Sequence, residues 1–161
     1  MAKVILKLGD DISTDTIYPG RFMATVLPVE TPAFAFADDK EFNKALNDKT
    51  HPAGSIIVGG NNFGCGSSRE QAASCLKGHE LIIIARSFAR IFLQNAVNLG
   101  LKTITIPDIE AAENDEIVIE ESKVVNKSSG RSFDIVPLSG TRQAVMDAGG
   151  LVRYTRERLL K

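Results

Sequence analysis

Three apolar runs constrain this chain more than any other feature: Ser55-Ile56-Ile57-Val58-Gly59-Gly60, Leu81-Ile82-Ile83-Ile84-Ala85 and Thr103-Ile104-Thr105-Ile106. Runs this short and this continuously apolar read as strands covered on both faces. Between the first two lies a glycine loop followed by the helix-like Gln71-Ala72-Ala73-Ser74-Cys75-Leu76-Lys77. Between the last two, Ser87 predicts a helix cap and Gly100 a helix stop. From 55 to 107 the order is therefore strand, glycine loop, helix, strand, helix, strand. That alternation implies a parallel core with right-handed crossovers.

The flanking segments add to this core. Residues 3–8 read as a strand, and Asp10 to Gly20 as a polar, turn-rich loop. Residues 22–50 are the least regular part, interrupted by Pro28 and Pro32. They read as a mobile excursion, counted from about residue 21, with a short helix around 38–47. After Pro107, alternating stretches at 116–119, 123–125 and 132–136 predict antiparallel strands with a turn at Ser128-Ser129-Gly130. Helices at about 140–148 and 150–160 follow, the last one basic and surface-facing. At 161 residues the chain is expected to be one domain, 1–161. Its fold class is α/β, with a mixed, partly parallel sheet or small barrel.

Chemistry concentrates in Asn61-Asn62-Phe63-Gly64-Cys65-Gly66-Ser67-Ser68-Arg69-Glu70, between a strand and a helix. Gly60, Gly64 and Gly66 allow tight turns and bring backbone N–H groups close to a ligand. Two hydroxyls and a guanidinium then stand at a helix start, the end that attracts anions. Ser67 and Glu70 also fit a capping box, which alone would account for that pair. It does not account for Ser68, nor for Arg69, whose charge opposes the helix dipole unless an anion binds there. The glycine spacing fits neither the phosphate-binding loop nor the dinucleotide fingerprint. That absence argues against a self-sufficient oxidoreductase.

A formal net charge of −1 gives no reason to expect nucleic acid or an anionic membrane as a partner. No apolar run approaches the length of a spanning helix, and Met1-Ala2-Lys3-Val4 leads directly into a strand. The expectation is a cytoplasmic chain without a signal peptide. Cys65 and Cys75 are too few to hold an iron–sulfur cluster alone, and His51 and His79 lack a ligand spacing, so no metal is expected on this chain.

The segments Gly60-Asn61-Asn62-Phe63-Gly64-Cys65-Gly66-Ser67-Ser68-Arg69-Glu70, Ala85-Arg86-Ser87-Phe88-Ala89-Arg90-Ile91-Phe92 and Asn95-Ala96-Val97-Asn98-Leu99-Gly100 resemble the small subunit of 3-isopropylmalate dehydratase. That family is a detached swivel domain of the aconitase superfamily. Gly9-Asp10-Asp11-Ile12-Ser13-Thr14-Asp15-Thr16-Ile17-Tyr18-Pro19-Gly20-Arg21 matches its opening motif, and the likeness extends to Ala148-Gly149-Gly150-Leu151.

The resemblance implies an aconitase-type swivelling β/β/α domain, and a hydro-lyase subunit that dehydrates and rehydrates a small dicarboxylic hydroxy acid. It implies Ser67 as the base, and Ser68, Arg69, Asp15 and Gly66 around the substrate. By its residues alone Asp15 reads equally as a turn-former or a cap. Arg90 is expected in an ion pair that positions the loop. The departing hydroxyl needs a Lewis acid, which the resemblance assigns to a 4Fe–4S cluster on a separate large subunit. The chain alone should bind no cluster and be inactive.

Family resemblance places a substrate-reading loop at Phe22, Met23, Ala24 and Thr25. Relatives of the homoaconitase type carry an arginine there, and this chain carries none. An alkyl-substituted malate is expected, 3-isopropylmalate/2-isopropylmalate foremost. Phe-Met departs from the usual Tyr-Leu start, which keeps 2,3-dimethylmalate, methylmalate/citraconate and homoaconitate open, along with Arg21 as a carboxylate partner. A non-enzymatic anion-binding module would retain the glycine loop without needing Ser67, Ser68 and Asp15 together. Self-association of the isolated chain into a homo-oligomer is left open.

Overall fold

The computed structural model describes residues 1–160. Seven strands form one mixed sheet: β1 (Ala2–Lys7), β2 (Ile56–Gly59), β3 (Ile82–Ala85), β4 (Thr103–Thr105), β5 (Glu116–Ile119), β6 (Lys123–Asn126) and β7 (Arg131–Asp134). Their spatial order is β4-β3-β2-β1-β5-β6-β7. β1 to β4 pair in parallel, whereas β5 to β7 continue from β1 as an antiparallel meander. Past β7 the chain returns to the opposite edge, where Val136 N–H donates to the Thr105 carbonyl at 2.9 Å. The result is a curled half-barrel, the α/β class with the partly parallel sheet expected above.

Alternation along the buried strands sorts their side chains into two cores. Ile57, Ile83 and Ala85 face helices α3 (Glu70–Gly78) and α4 (Arg90–Leu99), packing with Ala72, Leu76, Phe92 and Ala96. Ile56, Val58 and Ile84 point the other way, against Val4, Ile104, Ile117, Val124 and Phe133. The parallel strands are thus covered on both faces, as their composition requires. Helices cover one face, and the antiparallel half of the same sheet curls over the other.

Two close neighbours in the sheet, β1 and β2, are joined by a long excursion that contributes heavily to the helix-side core. It holds α1 (Thr14–Ile17), two 3₁₀ turns at Gly20–Phe22 and Thr31–Phe34, and α2 (Lys40–Asn47). Asp39 caps α2 by accepting from Phe42 N–H at 3.1 Å. Ala35, Phe36, Phe42 and Leu46 are buried, and the buried hydroxyls of Thr31 and Ser74 bond at 2.8 Å. At its tip the apolar side chains Met23, Val26, Leu27 and Val29 stay exposed.

Helices α5 (Gly140–Asp147) and α6 (Leu151–Leu159) follow the sheet, close to the two positions expected. Val145 and Met146 of α5 pack on Val97 of α4, whereas no residue of α6 is buried. Among the described residues no helix is long and apolar enough to cross a membrane.

Candidate active site

Backbone hydrogen bonds weave three stretches of sequence into one site. Gly60 N–H donates to the Gly9 carbonyl at 3.0 Å, Asp11 N–H to Asn61 at 2.8 Å, and Gly64 N–H to Ile12 at 2.7 Å. Thr14 N–H reaches the Cys65 carbonyl at 2.8 Å. On the other side of the loop, Phe63 N–H donates to Ser87 at 3.0 Å and Ala89 N–H to Phe63 at 2.9 Å. Residues 9–14, 60–65 and 87–89 therefore hold one another without relying on side-chain identity. Two side chains add to the weave: Asp10 accepts from Asn61 N–H at 2.6 Å, and Ser87 Oγ accepts from Asn62 N–H at 2.8 Å.

These bonds correct two expectations about caps. Helix α3 begins at Glu70, its N-cap is Arg69, and no side chain caps it. Ser67 lies two residues earlier and Arg69 is extended, with φ −124° and ψ 104°, so Ser67 and Glu70 form no capping box. Helix α4 likewise has Ala89 as its N-cap without a side-chain bond, because Ser87 is committed to Asn62.

With no cap to serve, Ser67 and Ser68 are exposed, and neither hydroxyl has a hydrogen-bond partner among the described residues. The Ser67 backbone is nonetheless fixed, since Thr14 Oγ1 donates to its carbonyl at 2.8 Å. Ser67 and Ser68 line a cavity of about 200 Å³ with Thr14, Gly66, Arg69 and Arg90. Gly66 adopts φ +94°, a left-handed turn that swings the two serines outward.

Arg69 forms the inner wall, with its side chain only 12% exposed. Its Nη1 donates to Asp15 Oδ1 at 2.6 Å and to the Tyr18 carbonyl at 3.2 Å, while its buried Nε has no partner. Asp15 does not cap α1; Ser13 does, accepting from Thr16 N–H at 3.1 Å. Asp15 instead receives the Arg69 guanidinium and Gly20 N–H at 2.8 Å, and these bonds hold its carboxyl below the ordinary value of 3.8.

That depression fixes a sign. A carboxyl with a lowered folded-state pKa contributes stability that is fully present above its ordinary value and disappears as pH falls through the lowered one. Asp15→Asn should therefore melt below the parent above the ordinary value of 3.8, with the gap closing as pH falls through the lowered one. Thermal melts across that range test it; a gap that widens in acid would contradict the assignment.

The expected reading loop stands apart from the cavity lining. Phe22 is half-buried, stacked on Phe34 with ring centroids 4.2 Å apart. Met23 and Ala24 are exposed, and the loop meets α3 through Gln71 Nε2 donating to the Met23 carbonyl at 3.1 Å. Arg21, left open above as a carboxylate partner, pairs with Asp38 at 2.6 Å and lies over the Phe22 ring.

Tyr18 carries no motif of its own in the sequence. Fully buried, it shares its hydroxyl proton between the carbonyls of Phe22 at 3.0 Å and Thr25 at 3.2 Å. It thereby couples Arg69 to the loop at 22–25. A tyrosine just before Pro19 in an otherwise polar turn was the only available signal. Arg90 also differs from expectation: it is exposed, lines the cavity, and has no ion-pair partner among the described residues.

A mixed half-barrel carrying a glycine loop with two unpartnered serines and a largely enclosed arginine defines the class. Residues 11–109 match the aconitase C-terminal domain family, and the chain belongs to it as the small subunit of an aconitase-family hydro-lyase. It is 36% identical over 156 residues to the 3-isopropylmalate dehydratase small subunit of Methanosarcina mazei, covering 94% of this chain and 93% of that protein. It is 38% identical to the 2,3-dimethylmalate dehydratase small subunit of Eubacterium barkeri, over 93% of each chain. The homoaconitase small subunit of Methanocaldococcus jannaschii is also 38% identical, over 96% of this chain and 90% of that one. The crystal structure of the M. jannaschii 3-isopropylmalate dehydratase superposes with a TM-score of 0.88 at 36% identity, covering 98% of this chain and 94% of that one.

Proposed function

We propose that this chain supplies the proton-transferring and carboxylate-binding half of an active site that isomerises an alkyl-substituted malate, foremost 3-isopropylmalate. The observation that carries this reading is the pair of unpartnered hydroxyls, Ser67 and Ser68, at a cavity walled by Arg69. In the dehydrating direction Ser67 Oγ, as an alkoxide, takes the proton from the substrate C–H. The C–H electron pair becomes the new C=C, and the hydroxyl on the adjacent carbon departs. Rehydration with the opposite regiochemistry returns that proton. Arginines and helix-start N–H groups aimed at an oxyanion make an alkoxide accessible in such a site. Ser68 and Arg69 orient the substrate carboxylate, and Asp15 keeps Arg69 in place.

The departing hydroxyl requires a Lewis acid, and this chain's donors do not fit a metal group. Among the described residues no three His, Cys, Asp or Glu side chains gather as a metal site would need. Cys75 is fully buried, its Sγ donates to the Ala72 carbonyl at 3.2 Å, and burial pushes its thiol pKa well up. The Lewis acid is accordingly assigned to a large partner subunit bearing a 4Fe–4S cluster. That the relatives are themselves called small subunits supports the partnership. A cytoplasmic biosynthetic role, leucine synthesis foremost, goes with this reading.

Substrate choice is assigned to the exposed tip at Phe22, Met23, Ala24 and Thr25. With Arg21 paired to Asp38, no free cation stands on this tip. Once the large subunit covers this tip, a charged side arm would be buried there unpaired, at a penalty of several kcal/mol. Mixing the chain with its large subunit, cluster reconstituted, should create activity that neither has alone, with alkyl malates preferred over homocitrate or isocitrate. Ala24→Arg should shift preference toward the tricarboxylic acids. Turnover by the chain alone, or equal turnover of a tricarboxylic acid by the unmodified pair, would sink this reading.

A further inference from the structure

A dicarboxylate brings two negative charges into the cavity, and Arg69 can answer only part of them. Its guanidinium is already bonded to Asp15 at 2.6 Å and to the Tyr18 carbonyl at 3.2 Å, so that pair carries no net charge. Among the residues lining the cavity, the one other cation is Arg90. It is exposed and has neither a hydrogen-bond nor an ion-pair partner among the described residues. Arg90 is also the first residue of α4, whose first turn holds no acidic side chain and whose N-cap Ala89 offers no side-chain bond. A cation at an unneutralised helix start is unfavourable for folding. The fold gains nothing from Arg90 that its contacts reveal, whereas an anion in the cavity would find in it a fork of free N–H donors.

We infer that Arg90 is a substrate-binding residue that pairs with the second carboxylate, opposite the one oriented by Ser68 and Arg69. The inference rests on the dehydratase reading given above. Arg69 is the pre-set inner anchor, held rigid by Asp15, and Arg90 is the outer cation that supplies the net positive charge. A structural ion pair within this chain, the role its sequence context suggested, has no partner to form it among the described residues.

The test uses the assembled two-subunit enzyme with 3-isopropylmalate and 2,3-dimethylmalate as substrates. Arg90→Ala should raise KM about 10- to 100-fold, as the loss of one charge-assisted pair does, and leave kcat within about threefold. Arg90→Lys should recover part of the KM, since it retains the charge but not the fork. Two further readings separate this from a structural role: the melting temperature of Arg90→Ala should equal or exceed the parent's, and its affinity for the large subunit should be unchanged. A KM within twofold of the parent's would overturn the inference. So would a loss of activity that tracks weakened subunit assembly, which would make Arg90 an interface residue instead. Ser67→Ala is assayed in parallel to keep the two readings apart. Full activity there would defeat Ser67 as the base, while the KM of Arg90→Ala would still decide the role of Arg90.

Discussion

Ser67→Ala in the assembled enzyme is expected to lower turnover by about two to four orders of magnitude, the range for removal of a positioned proton-transfer group. Its melting temperature should hardly move. Ser67 Oγ bonds to nothing among the described residues, and the bond that fixes this position runs from Thr14 Oγ1 to the Ser67 backbone carbonyl, which alanine keeps. An exposed substitution of this kind changes stability by about 0.5 kcal/mol or less. A large kinetic effect with a small thermal one is the signature of a group whose work is chemical. Retention of more than a tenth of the activity would show that Ser67 is not the base.

Gly64→Ala should do the reverse and damage the scaffold. Gly64 sits at φ +84°, and a Cβ built there would lie 2.2 Å from Phe92 Cγ and 2.5 Å from Phe92 Cβ. Phe92 cannot retreat, being 2% exposed and packed edge-on against Phe63 with ring centroids 5.4 Å apart. Left-handed backbone disfavours alanine by about 1–2 kcal/mol. Overpacking adds about 1–3 kcal/mol. Together these make roughly 2–5 kcal/mol, a large share of an ordinary domain's stability. For a chain of this size the melting temperature should drop by about 4–20 °C. Activity should fall with it, because Gly64 N–H on Ile12 is one of the bonds aligning Ser67. A melting shift below about 2 °C would mean the loop yields more easily than its packing indicates.

How much of this was legible beforehand depends on the range of the interactions involved. Strands at Ile56–Gly59, Ile82–Ala85 and Glu116–Ile119 were written in local composition, as was the stop at Gly100. The clustering of Ser67, Ser68 and Arg69 at one loop was legible too, since adjacent residues cannot be far apart. The caps were misread because their competitors are distant in sequence. Ser87 bonds to Asn62 N–H across 25 residues, and the Ser67 carbonyl is held by Thr14 across 53. Both draw a potential cap away from its helix, and no spacing rule sees them. The Arg69–Asp15 pair, 54 residues apart, was expected only as two neighbours of one substrate. The closure of the sheet, from Val136 just past β7 to Thr105 of β4, was legible only as the small-barrel alternative for the same reason: apolar strand faces look alike whether a helix or another strand covers them.

The strand order carries a consequence for how this molecule comes together. β1 precedes every other strand in the chain, yet it occupies the middle of the sheet and is the only strand shared by the parallel and antiparallel halves. Its partners β2 and β5 begin at Ile56 and Glu116, so neither pairing is local. Pairings of such long sequence separation form slowly, because chain entropy must be surrendered before they repay it. Refolding should therefore be limited by the docking of β1 between two hairpin- and crossover-built halves. Trimming residues 1–8 would remove the seam itself, leaving two half-sheets that meet at the Val136–Thr105 bridge, with the edges of β2 and β5 newly exposed and prone to pair with other chains.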